Sequence, residues 1–297
     1  PIEFIKQTLH LFYHFRVNLI LIQFAGFHSV LPVLWGKLTG KKIIIVCGGN
    51  DCHNFPSIRY GNYSRYFLRI ATSFSLKHCA LILPKHESLW YSNYSYDTHH
   101  PKEQGILAFN KNIITPYEII SNGYNPDFWK PIDLPIKPNS FITVSGNLHL
   151  SYQKELKGID LLLIAAKQLP EYTFTIVGAG SDNIDTRNYQ NVRTIGNSDP
   201  ETLRSLFSTH HYYLQLSLAE GFPNSLCEAM LCGCTPIGSS VFSIPEIIGD
   251  SGYILNKRDP ANLIQLLNKL NSRSTMLQNP RERILENYLD VKRKNKL

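Results

Sequence analysis

The 297-residue sequence has few of the residues on which covalently stapled folds depend. It contains six cysteines and two methionines. So low a cysteine density in a chain of this length excludes a secreted disulfide scaffold. No two cysteines are spaced as Cys-x-x-Cys, so a four-ligand zinc site is not indicated either. We therefore predict reduced, buried thiols at Cys47, Cys52, Cys79, Cys227, Cys232 and Cys234.

Long hydrophobic runs are also absent. The most apolar stretch, residues 17–35, is interrupted by Asn18, Gln23, His28 and Pro32, whereas a membrane span needs about 20 mainly apolar residues. The N-terminus shows no basic segment followed by an apolar run and a small-residue cleavage site, which a secretory signal would have. We therefore expect a cytoplasmic protein that is soluble or lies peripherally at the inner face of the cell membrane.

The excess positive charge lies in the first part of the chain. Residues 1–132 contain 13 Lys and Arg against 7 Asp and Glu, whereas residues 133–297 contain 17 against 16. Within the basic part, arginines alternate with tyrosines between residues 59 and 69. This pattern has two interpretations: a segment lying on an anionic bilayer, or a half-buried helix whose arginines are solvated. No nucleic-acid-binding motif is present, so nucleic acid is not a predicted partner.

Short apolar runs alternate with helical segments along the chain. Nine runs are predicted strands, at residues 18–23, 42–47, 81–83, 118–121, 141–145, 174–177, 192–195, 212–216 and 235–238. Several are apolar throughout, which is typical of strands buried on both faces of a parallel sheet. Helical periodicity is clear over residues 158–168 and 261–270. The alternation predicts a doubly wound α/β fold.

A cluster of prolines marks a domain boundary. Pro126, Pro131, Pro135 and Pro138 stand close together, and proline cannot continue a helix or a central strand. We place the junction so that residues 1–133 form one Rossmann-like domain and residues 134–297 a second. The two domains are expected to face each other across a cleft, with ligands at the carboxyl ends of the strands.

Three glycine-containing turns follow predicted strands, at Gly48-Gly49, Ser145-Gly146 and Gly178-Ala179-Gly180. Glycine permits a tight turn and lets a phosphate approach the backbone N–H groups. None of the three completes a dinucleotide or P-loop motif, so ordinary strand-to-helix turns explain them equally well. Lys157 directly precedes a predicted helix, where the helix dipole disfavours a cation. Either a bound anion offsets this cost, or an exposed lysine tolerates it.

The most informative segment follows the predicted strand at residues 212–216. Its loop contains Glu220, and a helix is predicted to begin near Asn224 or Ser225, which are good N-cap residues. Free amides at Gly221, Phe222 and the helix start suit a diphosphate. Glu220 and Glu228, which we place in the first helical turn, cannot bind phosphate, but carboxylates accept hydrogen bonds from sugar hydroxyls. Together these features predict a nucleotide-sugar pocket.

The spacing Glu220-x7-Glu228, within Glu-Gly-Phe-Pro-Asn-Ser-Leu-Cys-Glu-Ala-Met, resembles the Glu-x7-Glu signature of retaining glycosyltransferases of family 4. That family has the two-domain GT-B fold. Further similar segments are Lys157-Gly158, the Gly178 turn, Ile244-Pro245-Glu246 and Asn122-Gly123. The resemblance is strong over residues 113–258 and weaker before them.

The resemblance implies transfer of a sugar, with retention, from a nucleotide-diphosphate sugar to a glycan or lipid-linked acceptor in polysaccharide or glycolipid synthesis. Glu220, on the transferred sugar, and Lys157, on the diphosphate, are the implied catalytic residues, and Glu228 would bind the ribose. The implied donor-binding residues are Gly146, Lys157, Gly178, Gly196, Asn197, Glu220, Gly221, Phe222, Pro223, Asn224, Ser225, Leu226 and Glu228. Because no Asp-x-Asp pair is present, no metal or other cofactor is expected.

The sequence also departs from the family pattern. Asn147 stands where an arginine is usual, and Lys154 is a candidate for the second diphosphate-binding cation. Asp51 and His53 are acceptor-side candidates in a first domain that is expected to lack its first βα units, with residues 1–16 as the end of a helix. The C-terminal helix is expected to return toward the first domain. Two alternatives stay open: a catalytically silent nucleotide-sugar-binding remnant, and a GT-B-type nucleotide-sugar epimerase.

Overall fold

The computed structural model describes residues 16–270 and 278–295. The chain divides into two compact α/β units. Unit 1 comprises Pro1–Tyr94 and Thr98–Ser121, and unit 2 comprises Ser95–Asp97 and Asn122–Leu297. The helix predicted over residues 1–16 lies, apart from Arg16, outside the described residues.

Unit 1 is built on a three-stranded parallel sheet. Its strands are β1 (Leu19–Gln23), β2 (Lys42–Cys47) and β3 (Leu81–Pro84), in the spatial order β1-β2-β3. The helices are α1 (Phe27–Thr39), α2 (Tyr66–His78), α3 (Glu87–Trp90) and α4 (Ile106–Phe109), and β4 (Ser92–Asn93) pairs antiparallel with β5 (Glu103–Gln104). Ile45 and Ile82 of the sheet pack with Leu76 of α2 in a fully buried core. Because β1 and β2 pair in parallel, their carboxyl ends lie beside one another.

The strand predicted at residues 118–121 is not a strand of the sheet. This segment follows β3, since Glu118 N donates to Ile82 O (3.0 Å) and Ile120 N donates to Pro84 O (3.0 Å). The pairing amounts to one isolated bridge between Ile82 and Tyr117. Proline residues lack the N–H that a continuous ladder needs, and Pro84 and Pro116 stand on the two sides of this pairing.

Unit 2 is built on a six-stranded parallel sheet in the order β11-β10-β9-β6-β7-β8. Its strands are β6 (Lys137–Val144), β7 (Thr173–Val177), β8 (Val192–Ile195), β9 (His210–Gln215), β10 (Thr235–Ser239) and β11 (Tyr253–Leu255). Its helices are α5 (Ser151–Leu156), α6 (Ile159–Gln168), α7 (Pro200–Thr209), α8 (Asn224–Leu231), α9 (Ile244–Ile248), α10 (Pro260–Asn268), α11 (Pro280–Asn287) and α12 (Asp290–Lys294). The α/β prediction is confirmed, and the apolar runs of β6, β7, β9 and β10 are buried as expected. The run of β1 in unit 1 is not, since Leu19 and Leu21 are exposed.

The strand order of unit 2 places a ligand site. The chain enters the sheet at β6, adds β7 and β8 on one side, and then returns to add β9, β10 and β11 on the other. The order therefore reverses between β6 and β9. In open parallel sheets the loops that leave the strands at such a point diverge and form a crevice at the carboxyl ends. The loops after Val144 and Gln215 lie at that crevice.

The division between the units precedes the proline cluster. The sequence places the junction at residue 134, whereas the units divide after Ser121. The intervening segment is held in unit 2, since Arg281 donates to the carbonyl oxygens of Trp129 (2.6 Å) and Pro126 (3.0 Å). Ile132 N likewise donates to Ser208 Oγ at 3.1 Å. The predicted boundary marks a non-regular segment that packs on unit 2.

The helices of both units are short. Among the described residues, the longest helices are α1 and α2, with 13 residues each. Across residues 16–270 and 278–295, no helix combines the length and the apolar composition that crossing a membrane requires.

Candidate functional site in unit 2

The loop from β9 to α8 forms the centre of the site, and a glycine holds it against α6. Gly158 is the N-cap residue of α6 and lies in the left-handed region (φ 69°), and a Cβ at this position would lie 2.2 Å from Leu216 O. Only glycine fits so close an approach of two backbones. The contact fixes Lys157, one residue earlier, beside the loop that contains Glu220. The predicted Lys157-Gly158 motif thus has a packing role, and a chemical role of Lys157 stays a prediction.

Glu220 and Lys157 form an ion pair at this loop. The Lys157 ammonium donates to Glu220 Oε1, and both side chains are largely buried. Gln215 Nε2 (3.1 Å) and Ser217 Oγ (3.0 Å) donate to the same carboxylate oxygen. Among the described residues, none donates to Glu220 Oε2. One oxygen is therefore fixed by three donors, and the other is free to accept a hydrogen bond from a ligand hydroxyl.

The amino end of α8 lacks a side-chain cap. The N-cap residue is Pro223, not Asn224 or Ser225 as predicted, and no side chain caps the first turn. Both predicted caps are engaged elsewhere. Asn224 Oδ1 accepts from Asn122 Nδ2 (2.7 Å) and Tyr124 OH (2.9 Å), and Ser225 Oγ accepts from Tyr213 OH (2.7 Å). The first amides of α8 are therefore left for an anion, which the helix dipole also favours.

Glu228 is a half-buried carboxylate without a hydrogen-bond or salt-bridge partner among the described residues. The sequence predicts Glu228 in the first turn of the helix. Because α8 begins at Asn224, Glu228 instead lies beyond that turn. The favourable effect of the helix dipole on an acid fades after that turn, so the dipole does not account for its position. Burial raises the pKa of Glu228 from 4.5 to about 7. An unpaired carboxylate held at such a cost is typical of a ligand site.

The glycine turns lie at the carboxyl ends of the neighbouring strands. Gly146 follows β6 and is exposed, with open space where a Cβ would be. Gly178 follows β7 (φ 137°), and a Cβ there would lie 2.0 Å from Ser145 O, so the two turns pack together. Gly196 and Asn197 follow β8 and are exposed. All four predicted residues thus lie along one edge of the sheet.

Two further predicted residues make contacts that the sequence did not indicate. Phe222 is 6% exposed, and its ring packs edge-to-face on Tyr288 at 5.2 Å, so its backbone amide is the part nearest a ligand. Gly221 and Pro223 are buried beside it. Lys154 Nζ donates to Asn183 O at 3.1 Å. A role for Lys154 with a diphosphate stays a prediction.

Sequence reasoning missed the residues that hold Glu220 and the first residues of α8 in place. Gln215 and Ser217 alternate at the end of β9, and alternate residues of an extended segment point to the same side. This spacing was a usable signal, since Glu220 follows on the same loop. Tyr124 and Tyr213 could not be found in this way, because their partners lie in other elements of unit 2.

In unit 1, the predicted acceptor-side residues are buried. Asp51 is 1% exposed and accepts from the amides of Gly48, Gly49 and Ala25 at 3.0–3.1 Å. His53 is fully buried, which lowers its pKa to about 3. These contacts show that Asp51 shapes the loop after β2. A direct role of either residue toward an acceptor stays a prediction.

Asp51 also lies close to two thiols, in a group whose spacing could hold a metal ion: Cys47, Asp51 and Cys52. The chemistry does not favour one. Burial raises the pKa of Cys52 to about 11 and that of Cys47 well above its usual value, whereas a thiol must lose its proton to bind a metal. The Asp51 carboxylate is occupied by backbone amides. We assign this group to the structure of the loop.

Unit 1 has a cavity of its own at the carboxyl ends of β1 and β2. Its volume is about 670 Å³, and its wall includes Phe24, Phe27, His28, Asn50 and Asn62. Phe24 has a left-handed backbone (φ 66°), which is uncommon outside glycine, asparagine and aspartate, and its ring lies against Gly48. Aromatic walls with a few polar groups suit a small organic ligand.

Comparison with known proteins gives the family context. Residues 141–273 match the family described as Glycosyl transferases group 1. One subunit of phosphatidylinositol N-acetylglucosaminyltransferase from Arabidopsis thaliana is 25% identical over 186 residues, which cover 58% of this chain and 40% of that protein. Alpha-galactosylglucosyldiacylglycerol synthase from Streptococcus pneumoniae is 31% identical over 155 residues, covering 45% of this chain and 40% of that protein. The chain thus spans about two fifths of these relatives.

A solved structure is similar over almost the whole chain. HepE of Anabaena, in complex with UDP and glucose, has a TM-score of 0.74 and 16% sequence identity, and the match covers 98% of this chain and 79% of that chain. At this identity the likeness concerns the fold, and it confirms the predicted GT-B class.

Proposed function

Since residues 141–273 match the family described as Glycosyl transferases group 1, we propose that the protein is a retaining, metal-independent glycosyltransferase. Its donor is a nucleotide-diphosphate sugar bound in unit 2, and its acceptor is a glycan or a lipid-linked sugar. The observation that supports this proposal best is the pair of carboxylates on either side of the uncapped amino end of α8. Within the described part of the chain, nothing donates to one oxygen of Glu220, and Glu228 has no hydrogen-bond or salt-bridge partner.

The donor binds with its diphosphate at the first turn of α8. The amides of Ser225 and Leu226 donate to the phosphate oxygens, and the helix dipole stabilises their charge. Glu228 accepts hydrogen bonds from the ribose hydroxyls, and Glu220 Oε2 accepts one from the transferred sugar. The base lies toward Gly196 and Asn197, at the end of β8. The turns at Gly146 and Gly178 border the diphosphate.

The difficult step is departure of the diphosphate from the anomeric carbon. As that C–O bond breaks, negative charge grows on the leaving phosphate oxygen, and positive charge grows on the sugar ring. Lys157 and the α8 amides stabilise the former, because the fold holds the ammonium charge and the amide dipoles beside the bound diphosphate before the bond breaks. The acceptor oxygen forms the new bond on the same face, and its proton passes to the departing phosphate oxygen. No other reactant is required.

The acceptor class is proposed from the relatives and from unit 1. The names of two relatives specify lipid-linked acceptors, a phosphatidylinositol and a diacylglycerol glycoside. The cavity of unit 1 combines aromatic walls, which can stack on a sugar ring, with the exposed amide side chain of Asn50, which can bind a sugar hydroxyl. We therefore place the sugar end of the acceptor in this cavity.

Calorimetric titration with nucleoside diphosphates, followed by transfer assays with a panel of nucleotide sugars, tests the proposal. Glu228→Gln should weaken nucleotide binding about tenfold or more, because a charged acceptor is replaced by a neutral one. Glu201→Gln is the matched control, since Glu201 is exposed in α7 of the same unit. Binding without turnover would contradict the enzyme and favour a binding remnant. Sugar isomerisation without transfer would favour an epimerase.

A further inference from the structure

Helix α2 of unit 1 presents an apolar face to solvent. Tyr66 is 65% exposed, Phe67 73% and Ile70 50%. Residues 66 and 70 are one turn apart and lie on the same side of the helix, and the ring of Phe67 packs edge-to-face on Tyr66 at 5.3 Å. The opposite side, which includes Thr72 and Leu76, is fully buried. The helix therefore has two apolar sides, and only one of them belongs to the core.

The charge around this face is of one sign. No Asp or Glu occurs between Asp51 and Glu87, whereas five basic residues do: Arg59, Arg65, Arg69, Lys77 and Lys85. Arg65 is the N-cap of α2, Arg69 follows one turn later, and the first turn contains no acid. The helix dipole disfavours cations at that end, so helix stability does not explain these arginines. The Arg69 guanidinium lies 5.5 Å from the centre of the Tyr66 ring, which joins the cationic and aromatic groups in one surface.

We propose that this face of α2 docks unit 1 on an anionic lipid bilayer. The helix lies in the plane of the interface, with Tyr66, Phe67 and Ile70 at the level of the headgroups and glycerol. Arg65 and Arg69 bind lipid phosphates. Amphipathic helices with aromatic residues on one side and basic residues at its border bind in this way without crossing the membrane. The inference uses residues of unit 1 alone and does not depend on the donor site.

Two other occupants are less consistent with the surface. A soluble polyanion would need the arginines but would leave the apolar side chains exposed. A second copy of the chain would bury the apolar side chains but would bring like charges together. An anionic bilayer can bind both the arginines and the apolar side chains, since its headgroups are negative and its interface accommodates aromatic rings.

Vesicle co-sedimentation of the full chain tests the proposal. The vesicles contain phosphatidylcholine alone or with phosphatidylserine at about one part in three. We expect binding to the mixed vesicles that weakens with added salt. Arg65→Gln with Arg69→Gln should lower the partition coefficient roughly 25-fold, at about fivefold for each basic residue. Tyr66→Ser with Phe67→Ser should lower it about tenfold at unchanged charge.

Matched control variants change charge or apolar area elsewhere in unit 1, and so distinguish a specific role of the α2 face from a general effect of charge or hydrophobicity. Lys102→Gln with Lys111→Gln removes the same charge from exposed positions of unit 1, and Ile114→Ser removes an apolar side chain that is 94% exposed. Both controls should bind like the parent. The proposal would be overturned if the control variants lost vesicle binding or if the parent did not bind vesicles. It would also be overturned if the variant with Tyr66→Ser and Phe67→Ser bound vesicles as tightly as the parent. Sedimentation velocity without lipid completes the test, because self-association that the aromatic pair abolishes would identify a second copy as the occupant.

Discussion

Replacing Glu228 by glutamine should stabilise the protein in a pH-dependent way. Burial raises the pKa of this carboxyl from 4.5 to about 7, so the folded state binds its proton more tightly than the unfolded state does. The folded protein therefore loses stability relative to the unfolded chain as the pH rises from about 4.5 to 7, and the loss is complete above pH 7. Glutamine carries no charge at any of these pH values and avoids the loss.

The size of the effect follows from the same numbers. A pKa that moves from 4.5 to about 7 lowers the free energy of unfolding at high pH by at most about 3 kcal/mol. Solvent reaches part of the side chain, so we expect about 1–3 kcal/mol at pH 8 and close to zero at pH 4.5. In a chain of this length that difference corresponds to a few degrees in Tm.

Thermal unfolding of parent and variant at pH 5 and pH 8 measures the difference. Glu201→Gln is the control for a change of charge without burial, and its Tm should follow that of the parent at both pH values. Equal shifts of the Glu228→Gln variant at pH 5 and pH 8 would refute the reasoning, and so would destabilisation at pH 8. Weaker nucleotide binding in a more stable variant would show that stability is given up for ligand binding at this position.

The remaining predictions concern the neighbouring groups. Affinity for a nucleotide sugar should fall as the pH drops below 7, because the ribose hydroxyls bind the ionised Glu228; titration at pH 6 and 8 should show no such change in the Glu228→Gln variant. Lys157→Ala should weaken binding of a nucleoside diphosphate about tenfold or more and leave a nucleoside unaffected, since only the former has the charge that Lys157 neutralises. Glu220→Gln frees Lys157 from its ion pair, so diphosphate binding should be kept or improved in calorimetry while transfer slows about a hundredfold. Gly158→Ala should destabilise the protein by more than about 2 kcal/mol, because its Cβ would meet Leu216 O at 2.2 Å; unchanged denaturant unfolding would contradict that contact.

Much of the fold could be predicted from the local pattern of apolar residues and turns. The strand at β2 has the predicted bounds, and β7, β8 and β10 differ from their predictions by at most one residue at either end, because apolar β-branched runs between turns have few alternatives. The prediction of a strand at residues 118–121 was wrong, since apolar content does not reveal that proline residues interrupt the hydrogen-bond ladder. The sequence places the domain junction further along the chain than the structure does. A high density of proline indicates an irregular backbone, but it does not indicate on which unit that backbone packs.

The site was only partly readable. The Glu220-x7-Glu228 spacing identified both carboxylates, because a loop and the helix that follows it are local. The N-cap was predicted wrongly, since Asn224 is a good cap by type and its engagement by Asn122 and Tyr124 is a tertiary contact. The Lys157–Glu220 ion pair was also missed as a pair, although both residues were singled out. It depends on the order of β6 and β9 in the sheet, which residue spacing does not encode.

A crystal structure of the protein with a bound nucleoside diphosphate is the most direct test of the central claim. We expect phosphate oxygens about 3 Å from the amides of Ser225 and Leu226, and a ribose hydroxyl at a similar distance from the Glu228 carboxylate. A nucleotide bound away from the first turn of α8, or a ribose with no contact to Glu228, would contradict it.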